Sequence, residues 1–210
     1  MILHMTDIST EEKIKQAAKE VFISKGFEGC SSREIAKAAG MNVSLVNYYF
    51  RSKSKLFDLI FSAAMEEFIT SMVDVFSRDL SLIDKMTILI DKEYEFLERH
   101  PELPAFIINE VNRDIEAAKS QSKMMERIAQ TGIFQECLHA QEQGKMRKID
   151  MANMTLLIIS NCDFPFMAKN LFMSIHNLSP EDMKARIRAH RNIVKEMLIN
   201  YLFPNHDSNQ

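Results

Sequence analysis

The feature that most constrains this chain lies between Ser31 and Phe50, where two short helical segments are joined through a glycine with almost no chain to spare. Ser31 precedes Glu34 by three residues, the spacing of a capping box. In such a box the serine hydroxyl accepts from the glutamate backbone N–H, and the carboxylate reaches back to the serine. The helix opened in this way ends at Gly40, a residue free to adopt positive φ. Asn42 then offers a second N-cap, and Val43 to Phe50 forms the body of the next helix. Two short helices crossing at a glycine turn make a helix-turn-helix unit.

Helical periodicity extends this reading in both directions. Ile14, Ala17, Ala18, Val21 and Phe22 recur on one face, which predicts a helix from about Thr10 to Lys25, stopped by Gly26. Ser52 or Ser54 caps a fourth helix whose apolar face resumes at Leu56, Phe57 and Ile60 and continues to about Phe76. Five further helices are expected. They run near Leu82–Arg99, Pro104–Lys119, Ser122–Gln143 and Met151–Ile175, the last kinked by Pro165, and from Ser179-Pro180 to Leu202. Only five glycines and five prolines interrupt the chain. The fold class expected is therefore all-α with about nine helices: a domain over 1–57 containing the helix-turn-helix, and a larger helical domain over 58–210. Met1 to Ser9 has no helical pattern and is expected to be a loose arm.

Charge divides the same way. Residues 1–57 hold nine Lys/Arg against six Asp/Glu, and residues 58–210 hold 17 against 23, so only the N-terminal part suits phosphate. Cys30, Cys137 and Cys162 are too scattered for a C-x-x-C site or a full set of disulfides. No apolar run approaches the length that crosses a bilayer, so a cytoplasmic protein without a membrane partner is expected. Enzymatic readings find no H-E-x-x-H, no G-x-S-x-G and no phosphate-binding glycine loop. Cys137 and His139, two residues apart, fall on different sides of a helix. No catalytic group, metal or cofactor is expected.

The segment Thr10 to Phe61 resembles the DNA-binding domain of the TetR family. The resemblance is carried by Ala17, Ala18 and Phe22, by Lys25-Gly26-Phe27, and by Ser32-Arg33-Glu34-Ile35-Ala36-Lys37-Ala38-Ala39-Gly40. It continues through Val46, Tyr48-Tyr49-Phe50, Ser52-Lys53 and Leu56-Phe57. It implies a regulator, most often a repressor, that binds a near-palindromic double-stranded operator as a homodimer through its last two helices and is released by a small hydrophobic effector. Ser44 and Leu45 depart from the small residue and threonine common in the family, which leaves the operator sequence open.

With the third helix in a major groove about 12 Å wide, Asn42, Val43, Ser44, Asn47 and Tyr48 are the expected contacts. Asn47 is the best base reader, because a carboxamide pairs bidentately with adenine; the alternative is an exposed or capping amide. The resemblance puts phosphate contacts at Tyr49 and Lys53, and Ser31, Ser32 and Arg33 at the start of the second helix are expected to help. Fifteen methionines and fourteen phenylalanines make a deformable interior. A pocket there is expected to involve Phe96, Phe106, Glu110, Phe134, Asn161, Cys162 and Phe166; the alternative is that these are simply core. A competing reading of the whole chain is a helical ligand carrier or protein-interaction adaptor that does not bind DNA specifically.

Overall fold

The computed structural model describes residues 9–113 and 123–205, apart from the side chains of residues 110, 111 and 113. Among these residues it contains eleven helical segments and no strand. The chain divides into two compact units, Met1–Glu66 and Glu67–Gln210. The division falls inside a single helix, where nothing in the local sequence marks a boundary.

The first unit begins with α1 (Thr10–Lys25), capped by the Ser9 hydroxyl on the Glu12 N–H. In α2 (Ser32–Ala38) the predicted capping box is present in both directions. Its C-terminus closes with Gly40 N–H donating to the Lys37 carbonyl at 3.1 Å and Met41 N–H to the Ala36 carbonyl at 2.8 Å. That pair of bonds forms only when the residue between them is left-handed, and Gly40 has φ 68°. This is the turn that redirects the chain into α3 (Val43–Phe50), capped by Asn42 on the Leu45 N–H at 2.8 Å. The Ser52 hydroxyl accepts from Lys55 N–H at the start of α4 (Lys53–Ser77), whose residues up to Glu66 complete the unit. The core is aromatic: Phe57 lies edge-on to Phe22 at 4.9 Å and stacks on Phe61 at 4.0 Å. Ile14, Ala18, Ile35 and Leu56 seal it. Each phenylalanine withdrawn from water contributes about 1.5–3 kcal/mol.

The second unit holds the rest of α4, α5 (Leu82–Arg99), α6 (Leu103–Arg113), α7 (described over residues 123–129), α8 (Ile133–Glu142), α9 (Met151–Met167), α10 (Lys169–His176) and α11 (Pro180–Leu202). Helices α5, α9 and α11 pack on one another, with α6 against α9. Two polar latches join them. Lys85, 3% exposed, meets Glu136 of α8 at 2.8 Å, and Arg191 of α11 grips Asp91 at 2.6 Å and Glu95 at 3.0 Å on α5. The basic turn after Gly144 is tied down by Arg147, whose N–H and Nε donate to the carbonyls of Leu202 and Tyr201.

Eleven helices replace the expected nine because two long periodic stretches are each broken. Gly132, at φ 82°, separates α7 from α8 where periodicity alone runs through from Ser122 to Gln143. The second break is at Ala168, three residues beyond Pro165. Pro165 has no N–H to give to the Asn161 carbonyl four residues earlier. The Tyr94 hydroxyl of α5 donates to that carbonyl instead, at 3.3 Å, and α9 continues through the proline. The second half of the expected helix Pro104–Lys119 and the arm Met1–Ser9, except Ser9, fall outside the described residues.

Candidate functional site

The amphipathic pattern of α3 decides which side chains it presents. Val46 and Phe50, four apart, are buried in the first unit. Ser44, Asn47 and Tyr48 share the opposite face and are exposed. Tyr48 is 80% exposed, with its ring edge-on to Tyr49 at 5.4 Å. An aromatic side chain so placed adds only that ring contact to its own unit and leaves most of its surface free. Tyr49 is exposed, and Val43 is half-buried at the start of the helix. Asn42 spends its Oδ1 on the cap, leaving only its amide N–H groups to offer.

The start of α2 is already satisfied. Glu34 Oε2 accepts from the Ser31 N–H at 2.8 Å and the Ser31 hydroxyl at 2.9 Å, while Oε1 accepts from the Lys25 ammonium at 2.6 Å. The Lys25 ammonium, with the Ser31 donors behind it, holds the Glu34 carboxyl down at about 2. A carboxylate therefore occupies the place where a phosphate would use Ser31, whereas Arg33 is exposed and Ser32 half-buried. The Lys53 ammonium donates to the carbonyls of Phe27 at 2.6 Å and Cys30 at 3.1 Å and sits 4.1 Å from the centre of the Phe27 ring. It clamps the loop between α1 and α2, and one of its three donors remains for a phosphate.

In the second unit the residues singled out for a pocket scatter over four helices. Phe96 of α5 is buried and stacks on Phe68 at 4.7 Å, and Phe106 of α6 is buried. Phe134 of α8 is half-buried. Cys162 and Phe166 of α9 are buried, the latter 5.9 Å from the Tyr94 ring. Asn161 uses its amide on the Leu157 carbonyl and borders a groove of about 430 Å³ that also includes Phe164, Phe172, His190 and Ile193. The side chain of Glu110 lies outside the described residues.

The polar centre of this unit escaped sequence reasoning. Tyr94 OH lies 3.3 Å from the Asn161 carbonyl and 2.8 Å from His190 Nδ1, and which of the two ring tautomers is present decides whether His190 donates or accepts. Beside Tyr94, the Glu93 carboxyl is pushed up to about 8, first by burial and then by the charge of Asp163 on α9. Burial pushes Asp163 itself up to about 6. Both had a visible signal. Glu93 interrupts the stripe Met86, Ile90, Leu97, and Asp163 is the one charged residue between Asp150 and Lys169. Among the described residues, no three His, Cys, Asp or Glu side chains gather as a metal site, and no helix is long and apolar enough to cross a membrane.

Comparison with known proteins follows this division. Residues 14–60 match the family model for bacterial regulatory proteins of the tetR family. A probable HTH-type transcriptional regulator of Bacillus subtilis, YttP, is 32% identical over 110 residues, which are 51% of this chain and 53% of that protein; the chain thus spans little more than half of that relative's length. The HTH-type regulator PksA of the same organism is 23% identical over 91% of this chain and 87% of its own. Among solved structures, the regulator FadR of Bacillus subtilis in complex with stearoyl-CoA has a TM-score of 0.61 at 19% identity, covering 89% of this chain and 96% of its own. Residues 14–60 are thus a DNA-binding domain of the tetR-family type, and the chain shares its all-helical fold with the FadR structure.

Proposed function

We propose that this protein is a sequence-specific DNA-binding regulator, a repressor that leaves its operator when a small hydrophobic effector binds the second unit. The observation that carries the reading is the outer face of α3, where Ser44, Asn47 and the largely exposed Tyr48 stand clear of the core within the matched domain. On a major groove, Asn47 reads adenine, Val43 meets a thymine methyl, and Tyr49, Arg33, Ser32 and the spare Lys53 donor hold phosphates. Ser31 joins them only by exchanging its Glu34 partner. The carrier or adaptor reading leaves an 80% exposed tyrosine on α3 without a purpose.

The operator is met by a homodimer. What supports it is a broad apolar face on α9, α10 and α11: Leu156, Ile159, Phe164, Leu171, Ile175, Ile193 and Met197 are each more than 40% exposed. On α11, Met183, Ile187, Val194 and Leu198 are buried within one subunit, while Met197 and Tyr201 stay exposed and continue the apolar face that needs a partner. The effector cavity is assigned to the second unit among α5, α6, α8 and α9, with Phe96, Phe106, Phe134, Asn161, Cys162 and Phe166 as walls and Glu110 a further member. NicS of Pseudomonas putida, 26% identical over 74% of this chain, is named a repressor. Helix α4 begins in the first unit and ends in the second, which gives an effector a continuous element through which to act. A hundredfold loss of operator occupancy requires about 2.7 kcal/mol of coupling.

Fluorescence anisotropy of the purified protein with DNA from upstream of its own gene, beside scrambled DNA of equal length, tests the reading. Selective binding that weakens steeply with salt is expected, and Asn47→Ala should reduce discrimination by about 1–3 kcal/mol at one base position per half-site. Equal, weak binding to both DNAs would favour the carrier.

A further inference from the structure

The groove of about 430 Å³ beside α9 has no part in the function assigned so far. Its walls come from α9, α10 and α11. On α9, Ser160, Asn161 and Phe164 stand on a different side from the buried stripe Met154, Ile158, Cys162 and Phe166. The groove is therefore separate from the cavity assigned to the effector, with Asn161 alone common to both. The corner that closes it is held by backbone bonds. Helix α10 ends at Asn177, left-handed at φ 51°, with the Leu178 N–H on the Met173 carbonyl at 2.9 Å, and α11 opens on the capping box of Ser179 and Asp182.

The lining combines an aromatic wall with an unpaired cation. Phe164 and Phe172 meet edge-on at 6.3 Å, and the His176 ring stacks on Phe172 at 5.9 Å. Among the described residues that line the groove, Arg186 carries the one permanent charge and no carboxylate is present. Arg186 itself has no hydrogen bond and no ion pair with a described residue. Asp182, one turn earlier on α11, feels its charge but gives its carboxylate to the N–H and hydroxyl of Ser179. His190 engages Tyr94 through Nδ1 and leaves its other ring nitrogen unengaged.

A second copy of the chain is one conceivable occupant, because the groove shares Phe164 and Ile193 with the face given to the homodimer. The seven side chains of that face are all apolar, however, and bring Arg186 no counterion. An organic anion answers both the wall and the charge. We propose that this groove binds an aromatic carboxylate, whose rings lie against Phe164 and Phe172 and whose carboxylate is taken by the planar fork of Arg186. Phenylalanine edges and faces favour flat ring systems, and a guanidinium matches a carboxylate with two parallel N–H donors. An alcohol of the same shape forfeits the charged pair, and an ammonium meets like charge. The site depends neither on the effector cavity nor on the DNA reading.

The test is isothermal titration calorimetry of the full-length protein, without DNA, against 2-naphthoate, 2-naphthylmethanol and 2-naphthylmethylamine, with sedimentation velocity on the same samples. Naphthoate should bind about five- to tenfold more tightly than the alcohol, and the amine weakest. Arg186→Gln should lose that preference and bind acid and alcohol alike, with an unchanged melting temperature, because the exposed guanidinium has no partner in the fold to lose. Phe172→Leu should weaken acid and alcohol by the same factor and keep the preference. Acid and alcohol bound equally by the wild type, or an acid preference that survives Arg186→Gln, would overturn the proposal. So would a sedimenting dimer that binds no naphthoate, which would give the groove to the second copy. Operator anisotropy on the same preparation separates this site from the regulator reading: selective DNA binding without an acid preference discards the groove alone, and an acid preference lost in Arg186→Gln sustains the groove even where DNA binding is unselective.

Discussion

Glu34 and Glu93 are the same residue in opposite circumstances, and they show how the two units differ. In the first unit, Glu34 is half-buried and met by the donors of Lys25 and Ser31, which hold its carboxyl down at about 2. In the second, Glu93 is half-buried and has no donor among the described residues, and burial and the charge of Asp163 push its carboxyl up to about 8. The first unit directs its polar groups to capping and clamping backbone and leaves one helix face free. The second keeps polar groups inside that its own fold does not satisfy, and leaves an apolar face outside. The first is finished apart from one free helix face; the second keeps an orphaned carboxylate oxygen inside and an apolar face outside.

The most severe way to break this comparison is to make the first unit incomplete too. Phe57 touches Phe22, Phe27 and Phe61, and no part of it reaches solvent. Phe57→Ala should cost about 3–5 kcal/mol, since a cavity in so small a core closes poorly. Calorimetry should then show an early transition for the first unit, and operator binding should vanish with it while effector binding survives. A single transition lowered as a whole would mean that the units do not melt independently.

A smaller effect tests the centre of the second unit. Tyr94→Phe removes the donor that serves the Asn161 carbonyl and should cost about 1–3 kcal/mol by chemical denaturation, leaving a buried acceptor unpaired. In a Pro165→Ala background the restored N–H can serve that carbonyl, so the same substitution should cost measurably less. Equal costs in the two backgrounds would detach Tyr94 from the proline.

What the sequence made legible follows the same division. The capping box of α2, the Asn42 cap and the buried faces of α1 and α3 all lie within a few residues of the groups they serve, so local pattern suffices for them. Lys53 shows the limit: its two carbonyl partners lie 23 and 26 residues away, and only the folded chain shows that it clamps a loop. In the second unit the decisive contacts are longer still. Tyr94 reaches His190 across 96 positions, and the proline that was expected to bend α9 is compensated from α5. Gly132 is visible as a residue, but a periodic pattern on both sides of it hides the break. Glu93 and Asp163 stand out as charges on apolar stripes, and their proximity is a property of packing alone.

The smallest expected effect is the pH dependence of stability, in which the two glutamates work in opposite directions. Glu34 has a folded value below its unfolded one of about 4.3, so its contribution is present above that pH and is lost as the pH falls toward 2. Glu93 and Asp163 have raised values, so they cost nothing below about pH 4, and their destabilisation grows as the pH rises, for Asp163 to about 6 and for Glu93 to about 8. His190 on α11, whose value burial lowers, opposes them as its unfolded form titrates near pH 6.5, and Arg191 stays charged throughout in its pairs with Asp91 and Glu95. Between about pH 7 and 8 only Glu93 of this group still changes. The melting temperature of the wild type should fall over that interval, and Glu93→Gln should flatten it while leaving the acid limb, which Glu34→Gln should weaken in turn. A wild-type profile already flat from pH 7 to 8 would mean that Glu93 finds a donor in solution, and the contrast between the two glutamates would then be one of burial and not of completeness.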